Sequence, residues 1–226
     1  MGNTVFRKEI KYLISVQDYL LIQKKLACFL QPDAHGGPAG YMVRSLYFDS
    51  INDQDLYDTL DGWMEKRKIR LRVYDAQARQ VKLEYKCKSN TDGVKKTLTL
   101  SREQAQDMMK GNYGFLAGMD QPLARQLYIR LCTGAYTPKS VVQYWRKAYL
   151  YPVSDVRITF DTQVAASNVP GSFLDAQPSL IPLLPLDTGV LEVKYNDFLP
   201  GVLKEQVARL DRLQTSNSKY AQSRLL

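Results

Sequence analysis

The chain has 226 residues, of which 45% are hydrophobic, and its formal net charge is +8 with a pI near 9.3. This composition supplies a globular core and favours polyanionic partners, and no stretch is long and apolar enough for a membrane-spanning helix. Three cysteines without ligand-like spacing and a single histidine, His35 in a Gly/Pro-rich loop, argue against a zinc site or a histidine-based triad. The polar stretch Met1 to Lys11 does not resemble a signal peptide, so we expect a reduced, cytoplasmic protein.

The first half of the chain alternates predicted strands with short helices. A strand is predicted over Val5 to Ile14, and Ser15 is a suitable N-cap for a helix that reaches Leu26. The Gly/Pro-rich stretch 31–40 is predicted to be a loop. Further strands are expected over 41–49, 65–74, 80–88 and 94–100, with a short acidic helix or turn at 52–59 and a hairpin loop with an Asp-Gly signal at 89–93.

In the second half, Ser101 and Gln104 predict a capping box at the start of a helical region that extends to Cys132. Strands are predicted over 139–150, 156–161 and 190–195, an irregular Pro-rich crossover over 170–185, and an amphipathic helix over 203–213. No linker is apparent, and we expect a single domain over residues 1–226.

Charged residues alternate with apolar ones along several of these strands. Side chains two residues apart share one face of a strand, so Leu83-Glu84-Tyr85-Lys86 and Leu191-Glu192-Val193-Lys194 each place a carboxylate beside an ammonium group. The same alternation occurs at 7–11, 68–73 and 157–161. Any one of these segments could be an ordinary half-buried strand, but crowded cations on one sheet face repel each other. We therefore expect an anionic ligand to offset them.

Eight short segments, five of them the alternating ones above, occur in an order that resembles the VTC domain, the polyphosphate polymerase domain of the triphosphate tunnel metalloenzyme (CYTH-like) superfamily. They are Arg7-x-Glu9-Ile10-Lys11-Tyr12, Ser45-Leu46-Tyr47-Phe48-Asp49, Lys68-Ile69-Arg70-Leu71-Arg72, Leu83-Glu84-Tyr85-Lys86, Tyr144-Trp145-Arg146, Arg157-Ile158-Thr159-Phe160-Asp161, Leu191-Glu192-Val193-Lys194 and Ser218-Lys219-Tyr220. The resemblance implies an α+β fold, in which an antiparallel closed β-barrel of about eight strands encloses a hydrophilic charged tunnel and helices pack outside.

The resemblance also implies a set of residues that contact phosphate. The candidate catalytic residues are Arg70, Arg72, Lys86, Arg146 and Arg157, and the candidate substrate-binding residues are Arg7, Lys11, Lys68, Lys95, Lys194, Ser218 and Lys219. Each of them could instead have a surface or salt-bridged role. Lys95 shares its strand face with threonines whereas Lys96 shares a face with leucines, so Lys95 is the better inward candidate; Arg44 is doubtful because its face continues through Leu46.

The family's C-terminal glutamate corresponds to Glu192, which makes it the first candidate ligand for a divalent metal, Mn or Mg. Glu84, Glu9 and Asp161 could assist, or could pair with nearby lysine and arginine. Hydrolases and cyclases of the superfamily start with Glu-x-Glu-x-Lys, whereas this chain has Arg7-x-Glu9-x-Lys11. Loss of the first carboxylate argues against a two-metal triphosphatase.

The resemblance implies a polyphosphate polymerase that transfers the terminal phosphate of ATP to a growing polyphosphate and needs no side-chain base. Two alternatives remain open, a metal-dependent triphosphatase and a non-catalytic polyanion-binding module. Nucleic acid is not expected as a partner, because the basic residues alternate along strands and form no stacking platform. If the polymer is exported, a separate membrane protein would be required. The sequence leaves the oligomeric state open.

Overall fold

The structure, a computed structural model, describes residues 7–34, 36–37, 39–89, 92–208 and 214–226. The chain divides into two compact units. Unit 1 comprises residues 1–42, 144–164 and 182–217, and unit 2 comprises residues 43–143, 165–181 and 218–226. The single domain over residues 1–226 stays a prediction.

The first eight elements reproduce the predicted alternation. They are β1 (Arg7–Ser15), α1 (Val16–Leu26), β2 (Gln31–Pro32), β3 (Tyr41–Asp49), α2 (Gln54–Leu60), β4 (Glu65–Val73), β5 (Gln80–Ser89) and β6 (Asp92–Ser101). Ser15 caps α1 as predicted, since its Oγ accepts a hydrogen bond from the Asp18 backbone N at 3.0 Å. The predicted loop 31–40 contains β2, which pairs with Tyr149 and Leu150.

The remaining elements are α3 (Arg102–Met109), α4 (Pro122–Thr133), β7 (Thr137–Tyr151), β8 (Val156–Ser167), β9 (Ile181–Pro182), β10 (Thr188–Asn196), α5 (Gly201–Ala208) and α6 (Lys219–Ser223), with short 3-10 turns at Gly114–Gly118, Val153–Asp155 and Pro170–Phe173. The predicted capping box of Ser101 and Gln104 is present at the start of α3. Helix α6 was not predicted. The predictions for residues 5 and 6 of the first strand, for His35 and Pro38, for Asn90 and Thr91 in the hairpin loop, and for 209–213 fall outside the described residues.

Unit 1 is built on antiparallel strands β1, β10 and β8, in which β10 lies between the other two. One face of these strands packs with α1 in an apolar core that includes Ile22, Leu26, Phe160 and Leu191. The burial follows from sequence spacing, because α1 buries positions 19, 22 and 26, which lie on one helical stripe. Glu9 and Lys11 of β1 and Glu192 and Lys194 of β10 lie on the other strand face, opposite one another in pairs.

Unit 2 contains the antiparallel strands β3, β4, β5 and β6 in sequence order. Its core joins alternate strand residues to α3 and α4. Leu71 and Leu83 from the strands and Met108 and Leu127 from the helices belong to one buried cluster. Alternation therefore directs the residues between these apolar ones, including Arg70 and Arg72, to the opposite face.

The strand order is β1-β10-β8-β7-β3-β4-β5-β6, with the short strands β2 and β9 beside β7 and β8. This confirms an antiparallel α+β fold, whereas the predicted closed barrel is corrected: within the described strands, the hydrogen-bonded order ends at β1 and at β6. The physical reason for the error is that alternation reveals which residues share a face. Closure depends on strand tilt and register stagger, which alternation does not encode.

Candidate functional site

A cationic face lies on β4, β5 and β6 of unit 2. The strand register places Lys68 opposite Lys86, Lys86 opposite Lys95, and Arg70 opposite Glu84. Directly opposed residues in an antiparallel pair share a face, and the intervening Ile69 and Leu71 are fully buried in the core. The six positions Lys68, Arg70, Arg72, Glu84, Lys86 and Lys95 hold five cations and one carboxylate, so this face has an excess of positive charge.

Glu84 organises the centre of this face. It is only 2% exposed, and its Oε2 lies 2.7 Å from Arg70 Nη2 and 3.6 Å from Arg72 Nη1, while Oε1 lies 2.9 Å from Lys95 Nζ. Burial alone would raise the pKa of Glu84, but Arg70, Arg72 and Lys95 lower it to about 2. The carboxylate therefore remains ionised and is occupied by cations.

Tyr47 borders the same cations, although the sequence analysis gave it no role. It lies opposite Arg70 on β3, and Arg70 Nη1 donates a hydrogen bond to its phenolic oxygen at 3.1 Å. Burial would raise the pKa of the phenol, yet Arg70, Arg72 and Lys68 lower it to about 8. The sequence carried a signal for this position, because Ser45 and Tyr47 are two residues apart and share one strand face. In the structure, Ser45 Oγ accepts a hydrogen bond from Arg72 Nε at 3.1 Å.

Segment 218–224 also contacts this face. Lys68 Nζ donates to Ser218 Oγ at 3.0 Å, and the Tyr220 ring stacks on Tyr47 with centroids 5.0 Å apart. The Tyr220 hydroxyl donates to Asp49 Oδ2 at 2.6 Å. Ser218 therefore accepts a hydrogen bond from Lys68, a predicted phosphate-binding residue. It also caps α6, whose first residue is Lys219.

Unit 1 carries a charged face of different composition. Lys11 lies opposite Glu192, and Glu9 lies opposite Lys194, on β1 and β10. Lys11 Nζ is 2.9 Å from Glu9 and 3.8 Å from Glu192, while Lys194 Nζ is 2.6 Å from Glu192 and 3.5 Å from Glu9. Burial would raise the pKa of Glu192, but Lys194, Lys11 and Arg146 hold it well below its usual range. Two carboxylates and two ammonium groups thus alternate in a square.

Arg146 and Asp161 form a second ion pair in unit 1. Arg146 donates from Nε to Asp161 Oδ1 at 2.7 Å and from Nη2 to Oδ2 at 2.8 Å, which is the bidentate arrangement. Burial would lower the pKa of Arg146, but the Asp161 charge raises it well above its usual value. Both oxygens of Asp161 are therefore bound by arginine, which makes Asp161 a weaker metal-ligand candidate than Glu192.

Arg157 and Thr159 extend the unit 1 face along β8. Arg157 lies opposite Lys194, and Thr159 lies opposite Glu192. Arg157 Nη2 donates to Asp33 Oδ2 at 2.6 Å, while its buried Nε has no hydrogen-bond partner within the described ranges. The buried hydroxyl of Thr159 likewise lacks a partner in the part of the chain that the structure describes. Both groups are suited to bind a ligand oxygen, and the sequence analysis gave Thr159 no role.

The carboxylates of unit 1 fit a divalent cation that shares its coordination shell with phosphate. No group of three or more histidine, cysteine, aspartate or glutamate side chains occurs among the described residues. Mg²⁺ commonly uses one or two carboxylates together with substrate phosphates, and the neighbouring Glu9 and Glu192 supply such hard oxygen donors. The Thr159 hydroxyl, which lies opposite Glu192 and has no partner among the described residues, adds another oxygen.

The remaining predicted positions are placed as follows. The Arg7 side chain lies outside the described residues, although the residue begins β1. Lys96 Nζ donates to Gln126, away from Glu84, in agreement with the preference for Lys95. Arg44 is buried and donates to the carbonyl oxygens of residues 172, 173 and 175, so it anchors the crossover segment.

None of the described helices has the length and apolar character needed to cross a bilayer. The family model of the VTC domain matches residues 6–226. Among solved structures, the chain is similar to a "putative adenylate cyclase" from Bacillus halodurans, with 14% identity, 96% of each chain covered and a TM-score of 0.56. It is also similar to a "putative adenylate cyclase" from Vibrio parahaemolyticus, with 12% identity, 95% of this chain and 96% of that chain covered and a TM-score of 0.47. At these identities the first likeness concerns the fold alone. No curated protein matches the sequence.

Proposed function

Because the chain belongs to the VTC domain family, we propose that it is a phosphotransferase that moves the terminal phosphate of ATP onto a growing polyphosphate. Membership of this family gives the chain a function related to triphosphate or polyphosphate. The polymerase reaction, the use of ATP and the use of a divalent metal are parts of the proposal.

The observation that carries the proposal is the excess of cations on the unit 2 face. Five cations share six paired positions with a single carboxylate, Glu84. Like charges on one sheet face repel, and an anion with regularly spaced charges relieves this repulsion along its whole length. A chain of phosphate groups has that charge spacing.

Each predicted residue then has a chemical role. Arg70 and Arg72 contact phosphate oxygens through planar guanidinium groups, and Glu84 holds both in position. Lys68, Lys86 and Lys95 act as mobile point charges along the polymer. In unit 1 we assign phosphate contacts to Arg146, Arg157, Lys11 and Lys194, and Lys219 and Arg7 remain predicted contacts.

Glu192, with Glu9 beside it, would hold the divalent metal, Mn or Mg. Such an ion neutralises charge that develops on phosphate oxygens during transfer. In the transfer itself, an oxygen of the acceptor polyphosphate attacks the γ-phosphorus of ATP. The bond from that phosphorus to the bridging oxygen breaks, and ADP leaves with the bonding electrons. The acceptor oxygen is already ionised, so no side chain has to remove a proton.

The test is incubation of the purified protein with ATP and Mn²⁺, followed by gel separation of polyphosphate and quantification of ADP and free phosphate. We expect polymer and ADP, with little free phosphate. The variant Lys95→Ala should lose activity, whereas Lys96→Ala, its neighbour on the other strand face, should retain it. Free phosphate without polymer would contradict the polymerase.

A metal-dependent triphosphatase is the second candidate, and the proximity of Glu9 and Glu192 to the same lysine favours it. Two nearby carboxylates could support a hydrolytic metal site. The product analysis separates the two activities, and absence of both products despite tight binding of polyphosphate would favour a polyanion-binding module.

A further inference from the structure

Unit 2 exposes an apolar surface on α2 and the turn that follows it. We define the α2 surface as Tyr57, Leu60, Trp63 and Met64 with the neighbouring carboxylates Asp58, Asp61 and Glu65. Trp63 is 63% exposed and Met64 68% exposed. Tryptophan, tyrosine and methionine are enriched where proteins contact one another, and isolated exposed apolar residues are common whereas clusters are not.

The backbone holds this surface in a defined shape. The Trp63 backbone N donates to the Asp58 carbonyl at 3.1 Å, and Gly62 adopts the left-handed conformation at φ 75°. This is the Schellman arrangement, in which an apolar side chain directly after the glycine usually packs against the preceding helical turn. Here the Trp63 ring instead remains open to solvent, so the turn presents it to another molecule.

The chemistry of the α2 surface differs from that of the chain as a whole. Asp61 and Glu65 are exposed beside the apolar residues, although the chain has a net charge of +8. Glu65 pairs with Arg67 Nη2 at 3.3 Å, so Asp58 and Asp61 provide the main negative charge of this surface. An acidic rim repels anionic membranes and polyphosphate. It attracts a partner surface that combines apolar side chains with lysine or arginine.

Helix α1 of unit 1 presents such a partner surface. We define the α1 surface as Leu20, Leu21 and Phe29 with Lys24 and Lys25. Leu20 is 56% exposed and Leu21 54% exposed, whereas Tyr19, Ile22 and Leu26 face the core. One side of α1 is therefore used in folding, and the other side offers apolar and basic groups to solvent.

We propose that the α1 surface of one copy of this chain binds the α2 surface of a second copy. Both surfaces combine exposed apolar side chains with charged ones, and the charges of the two surfaces have opposite signs. In such a contact one copy contributes its α1 surface and its partner contributes the α2 surface. Repeated contacts of this kind form a twofold pair, a ring or an open chain. The ion pairs of the contact are exposed and weaken as salt rises.

The test uses two charge-reversal variants of the full chain, Lys24→Glu with Lys25→Glu, and Asp61→Lys with Glu65→Lys. Sedimentation equilibrium of the unaltered protein at low salt should show a mass that rises with concentration and falls when salt is added. Each variant alone should remain monomeric. An equimolar mixture should associate again, because the two intact surfaces match and the two reversed surfaces also carry opposite charges.

Trp63 supplies an independent signal. The chain has two tryptophans, so Trp145→Phe isolates its fluorescence. Emission of Trp63 should shift to shorter wavelength on association in the unaltered background and in the mixture, but not in either variant alone. Circular dichroism of each variant checks that the fold is retained.

Several outcomes would overturn the proposal. One is a protein that stays monomeric at all concentrations, and another is association that neither charge reversal alters. A third is a mixture that remains monomeric although the unaltered protein associates. A monomer whose α1 variant alone loses binding to phosphatidylglycerol vesicles would assign the α1 surface to lipid and also reject the contact between copies.

Discussion

Arg70 and Glu84 lie directly opposite each other on β4 and β5, and two nitrogens of the guanidinium, Nε at 2.8 Å and Nη2 at 2.7 Å, bind one carboxylate oxygen. Nη1 donates to Tyr47. The plane of the Arg70 guanidinium is therefore fixed before any ligand arrives. A preorganised cation loses less conformational entropy on binding phosphate than a free one does.

We expect Glu84→Gln to destabilise the fold by about 3 kcal/mol, because it removes the one buried carboxylate among several cations. Urea unfolding at neutral pH measures this loss. Glu65→Gln is the matched control on β4, since its carboxylate pairs with Arg67 at an exposed position; its effect should stay below about 1 kcal/mol. Equal effects of the two substitutions would contradict the central role of Glu84.

The same carboxylate predicts how stability responds to acid. The pKa of Glu84 is about 2 in the folded chain against an ordinary value of 4.5. A depressed pKa stabilises the folded state above the unfolded value, and this contribution is lost as pH falls from 4.5 towards 2. The stability difference between the unaltered protein and Glu84→Gln should therefore shrink over that window. A difference that is constant with pH would show that Glu84 does not titrate in this way.

Tyr47→Phe should reveal that the Tyr47 hydroxyl stabilises the fold at alkaline pH. The pKa of Tyr47 is lowered from 10.0 to about 8, so between these values the unfolded chain binds more protons than the folded chain. Relative to Tyr47→Phe, the free energy of unfolding of the unaltered protein should therefore rise between pH 8 and pH 10, by an amount on the order of 2 kcal/mol. Urea unfolding of both proteins at pH 7, 9 and 10 would measure it. Parallel curves would reject the assignment.

Arg146→Ala should be more harmful than Arg146→Lys. Alanine leaves the fully buried Asp161 without its bidentate partner, which we expect to cost about 3–5 kcal/mol. Lysine keeps the charge but cannot form two parallel hydrogen bonds, so its cost should be smaller. Thermal unfolding compares the variants, and the double variant Arg146→Met with Asp161→Leu should recover much of the loss. Failure of lysine to improve on alanine would contradict the charge argument.

Glu192→Ala should abolish the proposed transfer while the fold is retained, because Lys11 and Lys194 keep Glu9 as a partner. Calorimetric titration of Mn²⁺ in the presence of triphosphate should show binding to the unaltered protein and at least a tenfold weaker affinity for the variant, the usual order for losing a ligand (~10–100-fold). Asp161→Asn serves as the comparison, with Mn²⁺ affinity retained. Full activity of Glu192→Ala would refute the metal assignment.

Local sequence patterns predicted the strand faces and the helix starts of this molecule better than they predicted contacts between residues distant in sequence. Strand alternation identified the faces of Lys95 and Arg44, and cap residues located the starts of α1 and α3. Both signals act within a few residues of the chain, which is why one sequence suffices to read them.

The ion partners were harder to predict because they depend on register. Arg157, for example, pairs with Asp33, which lies 124 residues away in the sequence. Barrel closure failed for the same reason, since it requires the stagger of every strand to be known. Helix α6 is short, and its sequence carries no apolar period strong enough to separate it from a polar loop.

The contacts of segment 218–224 have a consequence for how the protein folds. Lys68 donates to Ser218, 150 residues further along the chain, and Asp49 accepts from Tyr220, 171 residues further, in addition to the nearby backbone N–H groups of Asp55 and Leu56. Contacts of such sequence separation form slowly, because closing a long loop costs entropy before the contact forms. Under the proposed function, polyphosphate would bind the completed face and not the unfolded chain, so by mass action it should raise the stability of the folded protein.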